Sequence, residues 1–319
     1  DRTDLGVIIT CDGIWGPFEQ EIAAELRARE VPAIAVHNKQ DSVSAPEHFA
    51  ALPGDIPLVL TSALNPGGID SLRTALIESA PEGLFEHSCI AADLIAPGET
   101  TVLVVPIDKE APRGRLILPQ VQTIRDLLDN GRWAMVVREH ELQQALDSLR
   151  TPPALIVTDS QAFEQVAAAA PPQSLLTGFS ILFARYRSDL ATLVRGARTI
   201  DSLRENDRVL IAESCTHHPI EDDIGRVKIP RWLESHTGVS LEFTTVSGHD
   251  FPGDLDTYRL VIQCGACMHT RRAVLQRLEQ CRQAGVPITN YGIAIAKCLG
   301  VLERTLSPFP EALELYRAL

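Results

Sequence analysis

The sequence predicts an α/β protein of three consecutive domains, each built on a mostly parallel sheet. Short apolar, β-branched runs alternate with longer segments of helical period along almost the whole chain. At 319 residues the chain exceeds what one hydrophobic core usually serves. A Pro81-Glu82-Gly83 break and a softer transition near residue 180 divide it into 1–85, 86–180 and 181–319. Hydrophobic residues make up 45% and aromatic residues only 5%, so the cores are expected to be built of Leu, Val, Ile and Ala.

In the first segment, Leu5 to Thr10, Ala33 to His37 and Leu58 to Thr61 read as strands, with helices over Pro17 to Glu30 and Gly68 to Ser79. In the second, Thr101 to Pro106, Trp133 to Arg138 and Ala154 to Thr158 are strands. Helices are expected over Leu118 to Asn130, Glu139 to Leu149 and Ser160 to Ala169, and Leu175 to Phe183 follows as one apolar segment. A helix from Ser188 to Asp201, with Ser188 as its N-cap, leads into the third segment. There Arg208 to Ala212, Leu241 to Val246, Tyr258 to Ile262 and Val286 to Thr289 are strands. Helices are expected over Pro230 to Ser235, from Thr270 to Ala284, and around Ile293 to Ala296. No sequence-level repeat or low-complexity tract occurs.

Charge narrows the function. Twenty-nine Lys and Arg against 42 Asp and Glu give a net charge of −13, and no basic run offers a nucleic-acid surface. No apolar stretch reaches the roughly 18–20 residues of a membrane span, and no charged-then-apolar signal opens the chain. The seven cysteines are odd in number, which argues against a disulfide framework and for a reducing cytoplasm. Cys11, Cys89, Cys281 and Cys298 are scattered and expected to be small buried hydrophobes.

The remaining three cysteines fall in two motifs. Glu213-Ser214-Cys215-Thr216-His217-His218-Pro219 follows the run Val209 to Ala212, and Gln263-Cys264-Gly265-Ala266-Cys267-Met268 follows Leu260 to Ile262. Each lies just past a buried strand, where open α/β sheets place their ligands. Cys264 and Cys267 precede the helix from Thr270, whose N-terminal N–H groups and partial positive charge favour thiolates. Three thiolates in one crevice leave one coordination position for His217, His218, Glu221, Asp222, His249 or solvent. Three chemistries suit the pattern. A [4Fe–4S] cluster with an open or non-cysteine fourth site comes first, then a Cys3His zinc site, then a thiol redox pair at Cys264 and Cys267. His236, His249 and His269 read as surface groups or as groups supporting the ligands. No constellation for acid–base catalysis is apparent.

The first segment resembles the back half of a small GTPase. Asn38-Lys39-Gln40-Asp41 follows the second strand, and Thr61-Ser62-Ala63 follows the third. That resemblance implies an incomplete P-loop GTPase fold. Asp41 would accept from the ring N–H and exocyclic amine of guanine, Asn38 and Lys39 would frame the base, and the Ser62-Ala63 turn would bring backbone N–H to its carbonyl. No Gly-x4-Gly-Lys-Ser/Thr occurs, and no upstream Asp-x-x-Gly holds magnesium. The chain opens at Asp1, directly before what would be a middle strand of a GTPase. A longer natural N-terminus is expected, and little or no GTP hydrolysis by this chain.

The whole chain resembles the HydF family, the maturation GTPases of [FeFe]-hydrogenase. The family pattern, Cys-x-His followed after a long gap by His-Cys-x-x-Cys, is matched by Cys215, His217, Cys264 and Cys267, with Gln263 in place of the second His. Segments 106–120, 221–226 and 228–230 are also similar to the family. The resemblance implies a scaffold and carrier. It would hold a [4Fe–4S] cluster, receive a di-iron precursor with CO and cyanide ligands, and deliver it to apo-[FeFe]-hydrogenase among the other maturation proteins. It further implies a homodimer formed by the middle domain, and GTP and magnesium in the full-length protein. Arg271 and Arg272, just past the second motif, could attract the anionic di-iron fragment.

Overall fold

Each of the three strand groups forms its own sheet, and every strand pair is parallel. The computed structural model describes residues 3–11, 14–42, 51–64, 66–81, 89–107, 116–214, 223–248, 251–267 and 269–318. It divides into two units, Asp1–His87 and Ser88–Leu319. Among the described residues no helix is long and apolar enough to cross a membrane.

The first unit runs β1 (Gly6–Thr10), α1 (Pro17–Ala28), β2 (Ala33–His37), β3 (Leu58–Leu60) and α2 (Pro66–Glu78), with strand order β1-β2-β3. Proline in the first turn and Glu19 Oε2, which accepts from Gly16 N at 2.9 Å, start α1. Ile8 and Ala35 pack on one face with Trp15, Ala23 and Ile56. Ile34, Val36 and Val59 pack on the other with Leu72, Ala75 and Leu76 of α2. Val7 and Ile9 of β1 stay 41% and 64% exposed.

The second unit begins with β4 (Thr100–Val104), α3 (Leu118–Asp129), β5 (Trp133–Val137), α4 (Leu142–Ser148), β6 (Leu155–Thr158), α5 (Phe163–Ala169) and β7 (Leu175–Gly178). Two helices, α6 (Phe179–Arg187) and α7 (Leu190–Arg198), lead to the next sheet. This contains β8 (Arg208–Ala212), α8 (Ile229–Thr237), β9 (Glu242–Val246), β10 (Leu260–Gln263), α9 (Arg271–Gln283) and β11 (Ile288–Asn290). The helices α10 (Tyr291–Cys298), α11 (Leu302–Thr305) and α12 (Pro310–Ala318) close the chain. The sheets are ordered β5-β4-β6-β7 and β9-β8-β10-β11, so both follow one winding rule although no repeat shows in the sequence. In each, the winding reverses between the first strand and the third. In the second sheet this switch point lies between β8 and β10, the place where such sheets bind ligands. Val209 to Ala212 and Leu260 to Ile262 are wholly buried, as a parallel strand covered on both faces requires. One core joins the two sheets, running from Leu103, Leu127 and Phe179 to Val209, Leu260 and Ile295.

The structure corrects several local expectations. The apolar segment Leu175 to Phe183 is not one element; it turns at Gly178 from β7 into α6, and a Cβ at Gly178 would stand 2.5 Å from the Phe163 ring. Residue 180, where the sequence softens, therefore falls inside α6. Ser188 is not the N-cap of α7. Its N–H still donates to Ala184 O and closes α6, and Asp189 Oδ1 caps α7 by accepting from Ala191 N at 3.1 Å. Helices α11 and α12 were not foreseen. Cys281 is fully buried, whereas Cys89 and Cys298 are only partly so; burial pushes the Cys281 and Cys298 thiols up to about 12. Cys11 is exposed instead, because it stands where the chain leaves β1.

Helix α7 crosses β11 so closely that a Cβ at Gly196 would stand 1.9 Å from Ile288 O. Gly196→Ala is therefore expected to cost at least ~1–3 kcal/mol. A denaturation curve should show a lower midpoint with an unchanged slope; an unmoved midpoint would contradict this packing.

Candidate functional site

In the first unit, the strand ends gather the residues singled out as guanine-facing. Asn38 N donates to Thr10 O at 2.8 Å and Gln40 N to Thr61 O at 3.1 Å, so the loop is anchored to both neighbouring strand ends. Lys39 adopts φ 60°, a left-handed turn that costs a non-glycine residue energy. Thr61 Oγ1 donates to Asn38 Oδ1 at 3.2 Å. Ser62 Oγ donates to Asp41 Oδ1, and Ser42 Oγ donates to Asp41 Oδ2 at 2.9 Å. Leu64 N donates to Ser62 Oγ, which tightens the turn through Ala63. Hydrogen bonds from Ser62 and then Ser42 hold the Asp41 carboxyl below its ordinary range.

In the second unit, parallel pairing sets Ala212 of β8 beside Gln263 of β10. The next residues on each strand therefore meet. Ser214 N donates to Cys264 Sγ at 3.1 Å, and the thiol donates to Ser214 Oγ at 3.0 Å. Cys264 N is fixed by Ala212 O at 2.9 Å. The chain then turns sharply through Ala266, which is 3% exposed at φ 50°, to Cys267. Thr270 Oγ1 caps α9 by accepting from Ala273 N at 3.3 Å. Cys215, His217, His218, Glu221, Asp222 and His249 lie outside the described residues. Among the described residues no group of three His, Cys, Asp or Glu side chains is arranged to hold a metal.

Several residues that the motifs did not flag build the walls. Arg187, at the end of α6, donates to Cys267 O and His269 O, each at 2.9 Å, and to Gln122 Oε1 of α3 at 3.1 Å. It thereby ties the Cys-x-x-Cys loop to the preceding sheet's helix layer. Glu213, 4% exposed, accepts from Arg226 Nη2 at 3.1 Å and Ser247 Oγ at 2.8 Å. Gly225 is required beside it, because a Cβ there would meet Tyr291 Oη at 2.2 Å. Gln263 is buried within β10, one residue before Cys264. His269 is buried rather than superficial, and His236 pairs with Asp201 at 3.1 Å. Arg271 is exposed and Arg272 half-buried at the first two positions of α9. Arg187 carried no local signal, since its partners are 65 or more residues away.

Comparisons with known proteins bear on the second unit. The family model for the hydrogen maturase F dimerization domain matches residues 90–188, and that for the hydrogen maturase F tetramerization domain matches residues 191–308. No curated protein gives a match. Among solved structures, an NtrC family transcriptional regulator from Clostridium acetobutylicum is similar over 69% of this chain and 98% of its own, at 11% identity and a TM-score of 0.21. That superposition is too loose to bear on the fold.

Because the Asp41 carboxyl is held low, its bonds to Ser62 and Ser42 persist across neutral pH. A folded pKa below the unfolded one adds stability above the unfolded value, which is lost as pH falls through the folded one. Carbon-detected NMR titration should place Asp41 below 3.8 and show Ser62→Ala moving it upward; an unchanged titration in the variant would contradict this geometry.

Proposed function

The chain belongs to the hydrogen maturase F family, and we propose that it serves there as a scaffold and carrier for cofactor assembly. It holds a [4Fe–4S] cluster at the β8–β10 switch point, takes a di-iron precursor bearing CO and cyanide as cargo, and delivers it to apo-[FeFe]-hydrogenase. The observation that carries this reading is Cys264 bonded to Ser214 across the switch point, with Cys267 three residues on and Cys215 directly after Ser214.

The donor set fits such a cluster. Cys215, Cys264 and Cys267 would supply three thiolates, with His217, Glu221, Asp222 or solvent at the fourth position. When bound, a [4Fe–4S] cluster would supply an iron with an exchangeable ligand position. The chain's own residues set the frame. Ser214 N–H stabilises negative charge on Cys264 Sγ, Arg187 fixes the carbonyls of Cys267 and His269, and Glu213 with Arg226 and Ser247 rigidifies the β8 side.

GTP with magnesium would regulate exchange among the maturation partners. Asp41 would read guanine, Asn38 and Lys39 would frame it, and the Ser62-Ala63 turn would meet its carbonyl oxygen. Residues 1–85, 86–180 and 181–319 would act as nucleotide, dimerisation and cluster domains of a cytoplasmic homodimer.

Anaerobic reconstitution tests the reading. Wild-type protein is expected to take up about four irons and four sulfides and to give an EPR signal on reduction, and Cys264→Ser to lose both. One zinc without sulfide would overturn it.

A further inference from the structure

The Cys-x-x-Cys loop places its glycine where the backbone does not ask for one. Ala266 is the loop's left-handed residue, at φ 50°, a conformation that glycine adopts without strain. It is 3% exposed and belongs to the core that joins the two sheets, which accounts for the alanine. Gly265, one position earlier, is exposed, and its φ lies outside the left-handed region. No atom of the described residues lies within 4 Å of where its Cβ would stand. A side chain would fit there, and glycine carries the larger loss of chain entropy on folding. With the left-handed turn and close packing both set aside, the remaining use of a glycine is close approach of a ligand to bare backbone. The loop is also held in place. Cys264 N donates to Ala212 O at 2.9 Å, His269 N to Ala266 O at 3.0 Å, and Arg187 Nη1 to Cys267 O and His269 O at 2.9 Å each. Gly265 is therefore a fixed, bare stretch of backbone, its Cα ~3.8 Å from that of Cys264 and within ~7 Å of that of Cys267. Both cysteines are partly exposed beside it.

We propose that Gly265 is a specificity-determining residue: its missing side chain leaves the room in which a ligand-bearing metal fragment is seated beside the centre held by Cys264 and Cys267. This rests on the reading of the loop as a cluster site that takes metal cargo. Selection by size then belongs to the loop itself. A side chain at 265 would fill the volume through which the fragment approaches, while the thiolates stay free to hold the cluster.

The test is the series Gly265→Ala, Gly265→Val and Gly265→Leu in the full chain, reconstituted anaerobically, with iron and sulfide counted in every variant. The probe is a synthetic di-iron complex bearing CO and cyanide, its uptake read from the CO and CN stretching bands. Gly265→Ala should unfold at or above the wild-type midpoint, and all three variants should carry the wild-type iron and sulfide. Binding of the complex should fall with side-chain size, by about tenfold or more in Gly265→Leu and by less in Gly265→Ala. Gly54→Leu, which fills an equally bare position in the first unit, should leave binding unmoved. Equal binding across the series would overturn the proposal. A lower midpoint in Gly265→Ala would also overturn it, by making the glycine a requirement of the fold. Iron lost in step with side-chain size would do the same, by making it a requirement of the cluster. Zinc without sulfide in the wild type would sink the scaffold reading, yet the cobalt(II)-loaded chain would still decide the role of Gly265. Imidazole binding there, read from the ligand-field bands, should weaken in the same order, and unchanged binding would overturn that role. Should Gly265→Leu not fold, Gly265→Ala and Gly265→Val decide by the same measurements.

Discussion

Parallel pairing of β8 with β10, in the register that sets Ala212 beside Gln263, is the constraint from which the candidate site follows. The strands end together, so Ser214 and Cys264 meet although they stand 50 positions apart in the chain. Slipping the pair by one residue would turn every buried side chain of β10 to its other face and carry Cys264 away from Ser214. The register is held by close packing on both faces, where Leu210, Ile211, Val261 and Ile262 are wholly buried. The hydrophobic core thus fixes the geometry of the polar site at its edge.

The same edge concentrates unusual local features. Ala266 is left-handed, Gly225 is admitted only because it lacks a side chain, and Glu213 and Arg277 are charged groups beneath the surface. Each costs folding free energy on its own, and such costs gather where a protein binds something. Glu213 recovers its desolvation from Arg226 and Ser247. Arg187 spreads its guanidinium over two loop carbonyls and Gln122, which makes the Cys-x-x-Cys loop depend on α3 as well as on its own sheet.

Much of the architecture was legible in the sequence because parallel strands are apolar on both faces and leave continuous runs such as Val209 to Ala212. The strand-end position of both cysteine motifs followed directly from those runs. The turn at Gly178 was not legible, because β7 and α6 are equally apolar and no polar residue marks their junction. Ser188 misled for a related reason: two helices abut, and the serine closes one while Asp189 opens the next. Arg187 was invisible to motif reading, since its role arises from contacts made only after the sheet closes. The Asn38–Asp41 and Thr61–Ala63 loops were singled out by their resemblance to a small GTPase, and the structure adds the Ser62–Asp41 and Thr61–Asn38 bonds that draw the two loops together.

X-ray absorption at the metal edge of the anaerobically loaded chain tests the central claim most directly, because it sees the metal's neighbours rather than its quantity. Thiolates meeting at the β8–β10 switch point around a cluster predict an iron–sulfur shell together with an iron–iron shell. A lone metal with sulfur and nitrogen neighbours and no metal–metal scattering would contradict the account.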